Sequence, residues 1–351
     1  HIKLRPGTNV AVLNMMLHFI IKSKLYNKDF VRDRTEGFDN FLKEIERQDV
    51  DKLAKVAGVD KQLVKEAAIA YATAQNSMEF HGLGVTEHEQ GSKTVMLIAD
   101  LAMITGNIGR KGVGVNPLRG QNNVQGAADM GCQPHQGAGY FEVADEKNQK
   151  FYSEKYGVTH PTKAGLKIPQ MFDAAIKKEL KGIWIIGEDI VQTDPNSAHV
   201  VDAMNSLELL VVQEIFMSET AKLATVVLPG TTFLEKDGTF TNTERRVQRV
   251  NRAVPPLPGT KPDGVIVTDM MQKLGFDQPT YDADQVLAEI ADIVPFFKGI
   301  TRERLGKMGL QWPVKEDGTD TQILHTEEFK LGKGRLKNFD WKESSEIEAN
   351  H

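Results

Sequence analysis

Apolar segments of strand length alternate with helical segments between residues 166 and 228, and this alternation limits the possible folds most strongly. The predicted elements are, in order, a helix over residues 166–180, a strand over 182–186, a helix over 197–205, a strand over 209–212, a short helix over 219–223 and a strand over 225–228. Near-continuous apolar strands between helices indicate a parallel sheet covered on both faces. With right-handed crossovers, the sequence predicts an α/β fold with doubly wound, Rossmann-like parallel sheets.

Helical spacing of apolar residues predicts further helices on both sides of this stretch. They cover residues 10–22, 28–32, 38–47, 51–57, 61–74 and 92–105, and then 264–274 and 283–293. Asn9 and Asp60 are predicted N-caps, and Gly106 is predicted to end the helix before it. Residues 80–82 are predicted to end one strand, and residues 2–4 to end another before a turn at residues 5–7.

The remaining stretches are predicted to be irregular. Residues 105–131 show no helical or strand period, residues 132–163 are poorly periodic, and residues 229–262 are rich in Pro and Gly. From residue 331 onward the chain has little to bury.

Composition excludes several classes of protein. The chain has 351 residues, 40% of them apolar and 26% charged, which is ordinary for a soluble globular protein with about two domains. A net charge of −5 without a Lys/Arg run argues against a nucleic-acid surface. The most apolar stretch, residues 10–21, is too short to span a bilayer and contains Asn14 and His18, so it is predicted to be a buried helix.

The chain contains one cysteine, Cys132, which excludes an internal disulfide and favours a reducing compartment, the cytoplasm. An iron–sulfur cluster normally needs about four cysteine ligands, so this chain cannot hold one by itself. Cys132 and His135 are too few for a closed metal site, and no metal ligand is predicted. We expect a semi-buried thiol and a hydrogen-bonded histidine.

Two predicted strand ends carry residues suited to a nucleotide. In open parallel sheets, ligands bind beyond the carboxyl ends of the strands. Gly187 permits close approach after the first strand, Thr193 or Ser197 can donate to phosphate at a helix start, and Glu214 follows the next strand, where an acid commonly accepts ribose hydroxyls. Neither GxGxxG nor a Walker loop is present, and a purely structural turn explains these residues equally well.

Residues 105–131 form a glycine- and amide-rich segment around one arginine, Arg119. Glycine lets the backbone approach a ligand, and amides donate and accept hydrogen bonds without charge. A fixed guanidinium in such surroundings suits a small carboxylate. The alternatives are a long surface loop, and an Arg119 that pairs with a phosphate or a structural carboxylate.

Several of these segments, taken together and in order, resemble the large catalytic subunit of molybdopterin-dependent formate dehydrogenases, in the dimethyl-sulfoxide-reductase type of molybdenum enzymes. The matching segments are residues 82–86, 105–131, 187–189, 213–217 and 235–246. The resemblance covers most of residues 1 to about 275. It implies oxidation of formate to carbon dioxide at a molybdenum or tungsten centre, with electrons passed to iron–sulfur clusters.

The resemblance also implies roles for particular residues. Arg119 matches the arginine that holds the substrate beside the metal. One guanosine-diphosphate arm of a bis-molybdopterin guanine dinucleotide would bind Gly187, Glu188, Asp189, Thr193, Gln213, Glu214, Phe216, Ser218 and Thr220. The pterin end would lie near Gly82, Gly84, Gln90, Gln121 and Asn122. Residues 236–246 form a charged block that is expected to be irregular. The resemblance implies that this block packs on the cluster-bearing domain near the pterin, and that it is partly exposed when that domain is absent.

The family's cluster cysteines and its metal-binding cysteine or selenocysteine, followed by a histidine, have no counterpart here. We therefore expect the chain to be a middle segment of a longer enzyme and to be inactive alone. The expected partners are formate, the remaining domains with their 4Fe-4S cluster, and an electron-transfer subunit. Neither a nucleic acid nor a membrane span is expected.

Four regions are predicted. Residues 1–120 would be the C-terminal part of one α/β domain carrying Arg119, and residues 121–235 a second Rossmann-like domain for the guanine dinucleotide arm. Residues 236–300 would form an irregular segment plus helices that return to the second domain, and residues 301–351 a linker toward a further C-terminal domain.

Two other functions fit the same pattern. One is a related molybdenum oxidoreductase, such as a nitrate reductase, and the other is a non-catalytic respiratory scaffold of the same fold. Arg119 among its amide neighbours favours formate over both, because a carboxylate needs such an anchor and a scaffold does not.

Overall fold

A computed structural model describes residues 1–345. The chain forms two compact units. The first comprises His1–Gln121 and the described part of Thr321–His351, and the second comprises Asn122–Asp320.

The helices of the described residues follow in chain order. They are α1 (Asn9–Lys22), α2 (Lys28–Arg34), α3 (Phe38–Glu46), α4 (Val50–Ala57), α5 (Lys61–Thr73), α6 (Leu83–Thr86), α7 (Gly91–Thr105), α8 (Val124–Asp129), α9 (Glu146–Tyr156), α10 (Ile168–Ile176), α11 (Ile190–Thr193), α12 (Ser197–Asn205), α13 (Glu219–Lys222), α14 (Asp263–Lys273), α15 (Ala283–Ile293) and α16 (Arg302–Leu305). Short 3₁₀ turns cover Ala138–Tyr140, Phe233–Glu235 and Pro295–Phe297.

The strands are shorter. They are β1 (Thr35–Glu36), β2 (Met78–His81), β3 (Gly114–Pro117), β4 (Gln136–Gly137), β5 (Phe141–Glu142), β6 (Gly182–Ile186), β7 (Leu209–Glu214), β8 (Val226–Pro229), β9 (Gly238–Thr241), β10 (Arg246–Val250), β11 (Leu310–Gln311) and β12 (Gly334–Arg335). Parallel pairing joins β1 to β12, β2 to β3, and β6, β7 and β8 in that order. Antiparallel pairing joins β4 to β5, and β9, β10 and β11.

The first unit is built around α1, which is buried as its apolar sequence predicts. Leu17 and Ile20 are fully buried and belong to the same apolar core as Phe41 of α3 and Leu97 of α7. Asn14 is also fully buried, and its side-chain amide donates to the Phe339 carbonyl at 2.8 Å. A buried amide needs such a partner, because an unpaired one costs about 1–3 kcal/mol.

The second unit contains the parallel sheet β6–β7–β8, and the α/β fold predicted from the alternating segments is confirmed. Val212 in the central strand is fully buried against an apolar core that includes Phe172 of α10 and Val200 of α12. Asp60 caps α5 by accepting a hydrogen bond from Gln62 N, and the left-handed Gly106 ends α7, as predicted.

Other predictions are wrong in detail. Residues 105–131 are not free of regular structure, because β3 and α8 form there, and α9 lies within the segment predicted to be poorly periodic. Residues 229–262 contain the hairpin β9–β10, so the charged block is a hairpin rather than an irregular turn. Residues 2–4 are not a strand, and the N-cap of α1 is Thr8, without a capping side-chain bond.

The segment after residue 331 also differs from expectation. Leu336 is buried in the core of the first unit, and Trp341 Nε1 donates to the Gly7 carbonyl at 3.0 Å. Asp340 accepts hydrogen bonds from Arg47 and Gln48. The last six residues of this predicted tail lie outside the described residues. Within residues 1–345, every helix is too short or too polar to cross a bilayer.

Candidate functional site

The carboxyl edge of the β6–β7–β8 sheet brings together the two strand ends singled out in the sequence. The three strands are parallel, so their carboxyl ends share one edge. Gly187 lies there in a left-handed conformation (φ +65°), and its N–H donates to the Gln213 carbonyl at 2.9 Å. No atom lies within 4 Å of the position that a Cβ of residue 187 would occupy. The backbone at this edge is therefore open to a ligand.

Asp189 and Thr220 link the two loops of this edge to each other. The Asp189 carboxylate accepts hydrogen bonds from Thr220 Oγ1 at 2.7 Å and from Thr220 N at 3.0 Å. Burial raises the pKa of Asp189, but these bonds and one from Glu219 N outweigh it, and the pKa lies below its usual value. Thr220 is fully buried, and Thr220 Oγ1 also accepts from Val191 N at 3.1 Å.

Four other residues of this edge are accessible to a ligand. Glu188 and Thr193 are exposed, and the Thr193 hydroxyl donates to the Glu188 carboxylate. Glu214 is half-buried and accepts from Ile215 N at 2.7 Å, while Phe216 is 77% exposed. An exposed aromatic ring beside carboxylates and hydroxyls suits a base and its ribose.

The remaining two predicted residues of this edge have internal structural partners. Ser218 caps α13 by accepting from Ala221 N at 3.1 Å. Gln213 is 1% exposed, and Gln213 Nε2 donates to Asp263 at 2.7 Å. Asp263 in turn forms a half-buried ion pair with Lys236. No local pattern predicts this link, since Gln213 and Asp263 are fifty residues apart.

Arg119 lies at the carboxyl edge of the parallel pair β2–β3. It is exposed and follows β3 by two residues. Leu118 N donates to the His81 carbonyl at 2.6 Å, so the backbone before Arg119 runs beside the end of β2. A Cβ at Gly82 would lie 3.4 Å from the Leu118 carbonyl, and one at Gly120 would lie 3.2 Å from the Leu83 side chain. The backbone thus runs close to its neighbours at both glycines.

The other residues predicted for the pterin end have different surroundings. A Cβ at Gly84 would meet nothing within 4 Å. Gln90 is buried, and its side-chain amide pairs with the Asp340 carbonyl at 3.0 Å and with Lys342 N at 2.9 Å. Its polar atoms thus hold the C-terminal segment of the first unit. Gln121 is exposed in the first unit, and Asn122 is exposed in the second.

Strand β2 carries titratable residues that sequence reasoning missed. Glu79 is half-buried and accepts a hydrogen bond from the Tyr71 hydroxyl. Burial raises the pKa of Glu79 to about 8, and the bond from Tyr71 offsets part of that rise. His81 is buried, which lowers its pKa. The signal was present in the sequence: polar residues alternate with Met78 and Phe80 over this strand.

Cys132 does not form the semi-buried thiol that was expected. Both Cys132 and His135 are exposed. Within residues 1–345, no three His, Cys, Asp or Glu side chains are grouped in a way that would hold a metal ion.

Comparison with known proteins gives a consistent set of relatives. Residues 1–273 match the family model described as Molybdopterin oxidoreductase. The F420-dependent formate dehydrogenase subunit alpha of Methanocaldococcus jannaschii is 43% identical over 99% of this chain and 52% of its own length. Formate dehydrogenase H of Escherichia coli is 38% identical over 97% of this chain and 49% of its own. The chain thus spans about half the length of these relatives.

A solved structure shares the fold. Acetylene hydratase from Pelobacter acetylenicus superposes with a TM-score of 0.65 at 20% identity, over 86% of this chain and 44% of that protein. At this identity the likeness shows the architecture alone.

Proposed function

Since the chain belongs to the molybdopterin oxidoreductase family, we propose that it is part of a formate dehydrogenase, which oxidises formate to carbon dioxide. The observation that carries this proposal is Arg119, exposed at the carboxyl edge of β2–β3 in a chain 38–43% identical to formate dehydrogenases. A guanidinium can hold both oxygens of a carboxylate at once.

The cofactor we propose is a bis-molybdopterin guanine dinucleotide carrying molybdenum or tungsten. The open backbone at Gly187 and the accessible Glu188, Thr193, Glu214 and Phe216 fit a nucleotide arm. Asp189, Gln213, Ser218 and Thr220 would act mainly by holding these loops in place. When bound, the cofactor supplies a two-electron acceptor for the substrate.

The pterin end of the cofactor would lie near the β2–β3 edge. Gly84 leaves room for it there, and Gln121 supplies an exposed amide. Gln90 would support this edge indirectly, through the segment that its amide holds.

The chain's own contribution to the reaction is to bind and orient formate. Arg119 would hold the carboxylate and stabilise charge as the substrate is oxidised. It would thereby fix the direction of the C–H bond, since formate offers no other group to hold. Electrons would pass to iron–sulfur clusters in the remaining domains and an electron-transfer subunit. We propose the cytoplasm as its compartment, which the single cysteine favours.

Arg119→Lys in the complete enzyme tests this function, with Arg110→Lys as the matched control. Arg110 is also exposed in the same segment, and its guanidinium bonds Asn107 of the first unit. We expect Arg119→Lys to lower formate turnover at least about 10²-fold, because Lys cannot reproduce the bidentate contact. Molybdenum content should stay near normal, and Arg110→Lys should retain activity.

Two results would contradict the proposal. Unchanged formate turnover in Arg119→Lys would remove the substrate role of this residue. A complete protein that contains neither molybdenum nor tungsten would support a non-catalytic scaffold instead.

A further inference from the structure

Asp263, the first residue of α14, lies beside the carboxyl edge of the β6–β7–β8 sheet. The chain just before it is fixed to the end of β8, because Lys261 N donates to the Pro229 carbonyl at 3.1 Å. A Cβ at Gly230, the residue after β8, would lie only 3.2 Å from Asp263 Oδ1. The carboxylate therefore packs closely against the backbone that leaves the sheet at this edge.

The Asp263 carboxylate holds side chains from two other parts of the second unit. Its Oδ1 accepts from Gln213 Nε2 of β7 at 2.7 Å, and its Oδ2 accepts from Lys236 Nζ. Lys236 directly follows the 3₁₀ turn Phe233–Glu235. The side chains of Lys236 and Asp263 are only 26% and 36% exposed, and hydrogen bonds to ionised groups are the stronger ones. Asp263 therefore has a fixed position from which to hold Gln213.

Gln213 depends on this carboxylate. Its side chain is buried, and within the described residues its oxygen Oε1 has no hydrogen-bond partner. The bond to Asp263 is thus the one that satisfies the Gln213 amide in residues 1–345. A wholly unpaired amide at a buried position is costly, so loss of Asp263 would make the side chain move. The same burial leaves this side chain little surface to offer a nucleotide.

The backbone around Gln213 holds both loops that we propose for the nucleotide arm. The Gln213 carbonyl accepts from Gly187 N at 2.9 Å, and Glu214 follows directly in the chain. The Glu214 carbonyl in turn accepts from Gly230 N at 3.1 Å. A shift of Gln213 would therefore move both Gly187, whose backbone is open to a ligand, and Glu214. Residues that bind a ligand must be held to within about 0.5 Å, and such supporting hydrogen bonds hold them.

We propose that Asp263 is a positioning residue for the nucleotide arm of the cofactor, acting through Gln213 on Gly187 and Glu214, with Lys236 fixing its carboxylate. This inference rests on the proposed function and extends it to a residue that the sequence did not assign to the cofactor. Asp263 would set the affinity for the guanine nucleotide and leave the handling of formate unchanged.

The binding test uses guanosine diphosphate as the probe and the complete protein prepared without cofactor. Calorimetry should give a Kd about tenfold higher in Asp263→Ala and in Gln213→Met than in the wild type, since each loses a hydrogen bond to an ionised group. The double variant should bind no more weakly than the single variants, because both substitutions break the same chain of contacts. Lys236→Met should also raise the Kd, because Asp263 then loses its counter-ion.

Gln213→Met separates positioning from stability. Methionine is unbranched and buries no amide, while Asp263 keeps Lys236 as its partner. We therefore expect the urea midpoint of this variant to stay close to that of the wild type although its affinity for guanosine diphosphate falls. A merely structural role of Gln213 would leave the affinity of the folded protein unchanged.

Asp269→Asn is the matched control. Asp269 also lies on α14, its side chain is 39% exposed, and it pairs with Lys261 rather than with a residue of the sheet. Its loss should leave the Kd unchanged. In the loaded enzyme, Asp263→Ala should lower the guanosine monophosphate that acid releases per polypeptide, while kcat per bound molybdenum stays at the wild-type value.

Two results would overturn the inference. One is the wild-type Kd in Asp263→Ala, and the other is additive losses, about a hundredfold, in the double variant. If the wild-type protein itself binds no guanosine diphosphate, the nucleotide arm of the proposed function fails, and the inference fails with it.

Discussion

Asp189 and Thr220 lie on different loops of the β6–β7–β8 edge and are hydrogen-bonded to each other. Thr220 donates through both its backbone N–H and its hydroxyl, and its hydroxyl accepts from Val191 N. The sequence places Asp189 at a strand end, where ligands bind, but it does not show that a donor 31 residues later is within reach. That Asp189 links the two loops can therefore be seen only in the folded structure, not in the sequence.

Asp189→Ala and Thr220→Val test this link. Each substitution removes partners of buried or half-buried groups, and we expect each to lower the free energy of unfolding by about 1–3 kcal/mol. The double variant should lose less than the sum, with a coupling of at least about 0.5 kcal/mol. Urea unfolding of the four proteins measures these values.

Glu188→Ala serves as the control for this cycle. Glu188 is the exposed neighbour of Asp189, and its loss should change the free energy by less than about 0.5 kcal/mol. Strictly additive losses in the double variant would show that Asp189 and Thr220 do not act together.

At the scale of helices and strands, elements with their own apolar period could be predicted from the sequence. Strand β6 and helix α12 have the predicted bounds, because each carries its apolar residues at its own spacing. The sheet β9–β10–β11 was missed. Its strands carry Thr, Gln and Arg, and β11 follows β10 by sixty residues, so its regularity comes from pairing rather than local pattern. Residue spacing does not show such pairing.

Helix α8 is held to the rest of the second unit by one buried carboxylate. Asp129 is fully buried and accepts from Gln125 Nε2 at 2.9 Å, from the Tyr140 hydroxyl at 2.7 Å and from Trp312 Nε1 at 2.9 Å. These donors come from α8 itself, from the following 3₁₀ turn and from the segment after β11. Three elements therefore depend on the same carboxylate.

Asp129→Ala should consequently be one of the most damaging substitutions in the second unit. It removes the acceptor that these three donors share, and we expect a loss of at least about 3 kcal/mol in the free energy of unfolding. Tyr140→Phe removes one of the three bonds to Asp129, together with the bond that Gln125 Nε2 donates to the Tyr140 hydroxyl, and should cost about 1–2 kcal/mol. Both values can be measured by urea denaturation, with the exposed Asp202→Ala as control. Equal losses in Asp129→Ala and Tyr140→Phe would contradict a shared carboxylate.

At the scale of the whole molecule, residues 334–341 join the end of the described chain to the first unit. Strand β12 pairs with β1, Leu336 is buried, and the Lys337 backbone bonds the buried Asp100 of α7. The sequence predicts a linker here because Leu336 and Trp341 are isolated apolar residues without a period. The surfaces against which these two residues pack belong to helices far earlier in the chain, which the local sequence does not describe.

The stability of the first unit should therefore depend on pH through Asp100. Burial raises the pKa of Asp100 to about 8, and the bond from Lys337 offsets only part of that rise. Between the ordinary carboxyl pKa of about 3.9 and this value, the folded state binds more protons than the unfolded state, so stability falls as the pH rises. One such group contributes a slope of up to about 1.4 kcal/mol per pH unit.

Asp100→Asn should remove this slope, because the amide fills the same site without ionising. Urea unfolding at pH 5, 6 and 7 would measure it through Trp341, the tryptophan of the first unit, with Trp184 and Trp312 replaced by Phe. As the pH rises from 5 to 7, we expect the unfolding free energy of Asp100→Asn to fall by about 1.4 kcal/mol less per pH unit than that of the wild type. Asp51→Asn, at an exposed carboxylate, should show the same pH dependence as the wild type. Parallel wild-type and Asp100→Asn curves would mean that Asp100 is already ionised in the folded chain, and that the closing of residues 334–341 over α7 does not exclude water from it.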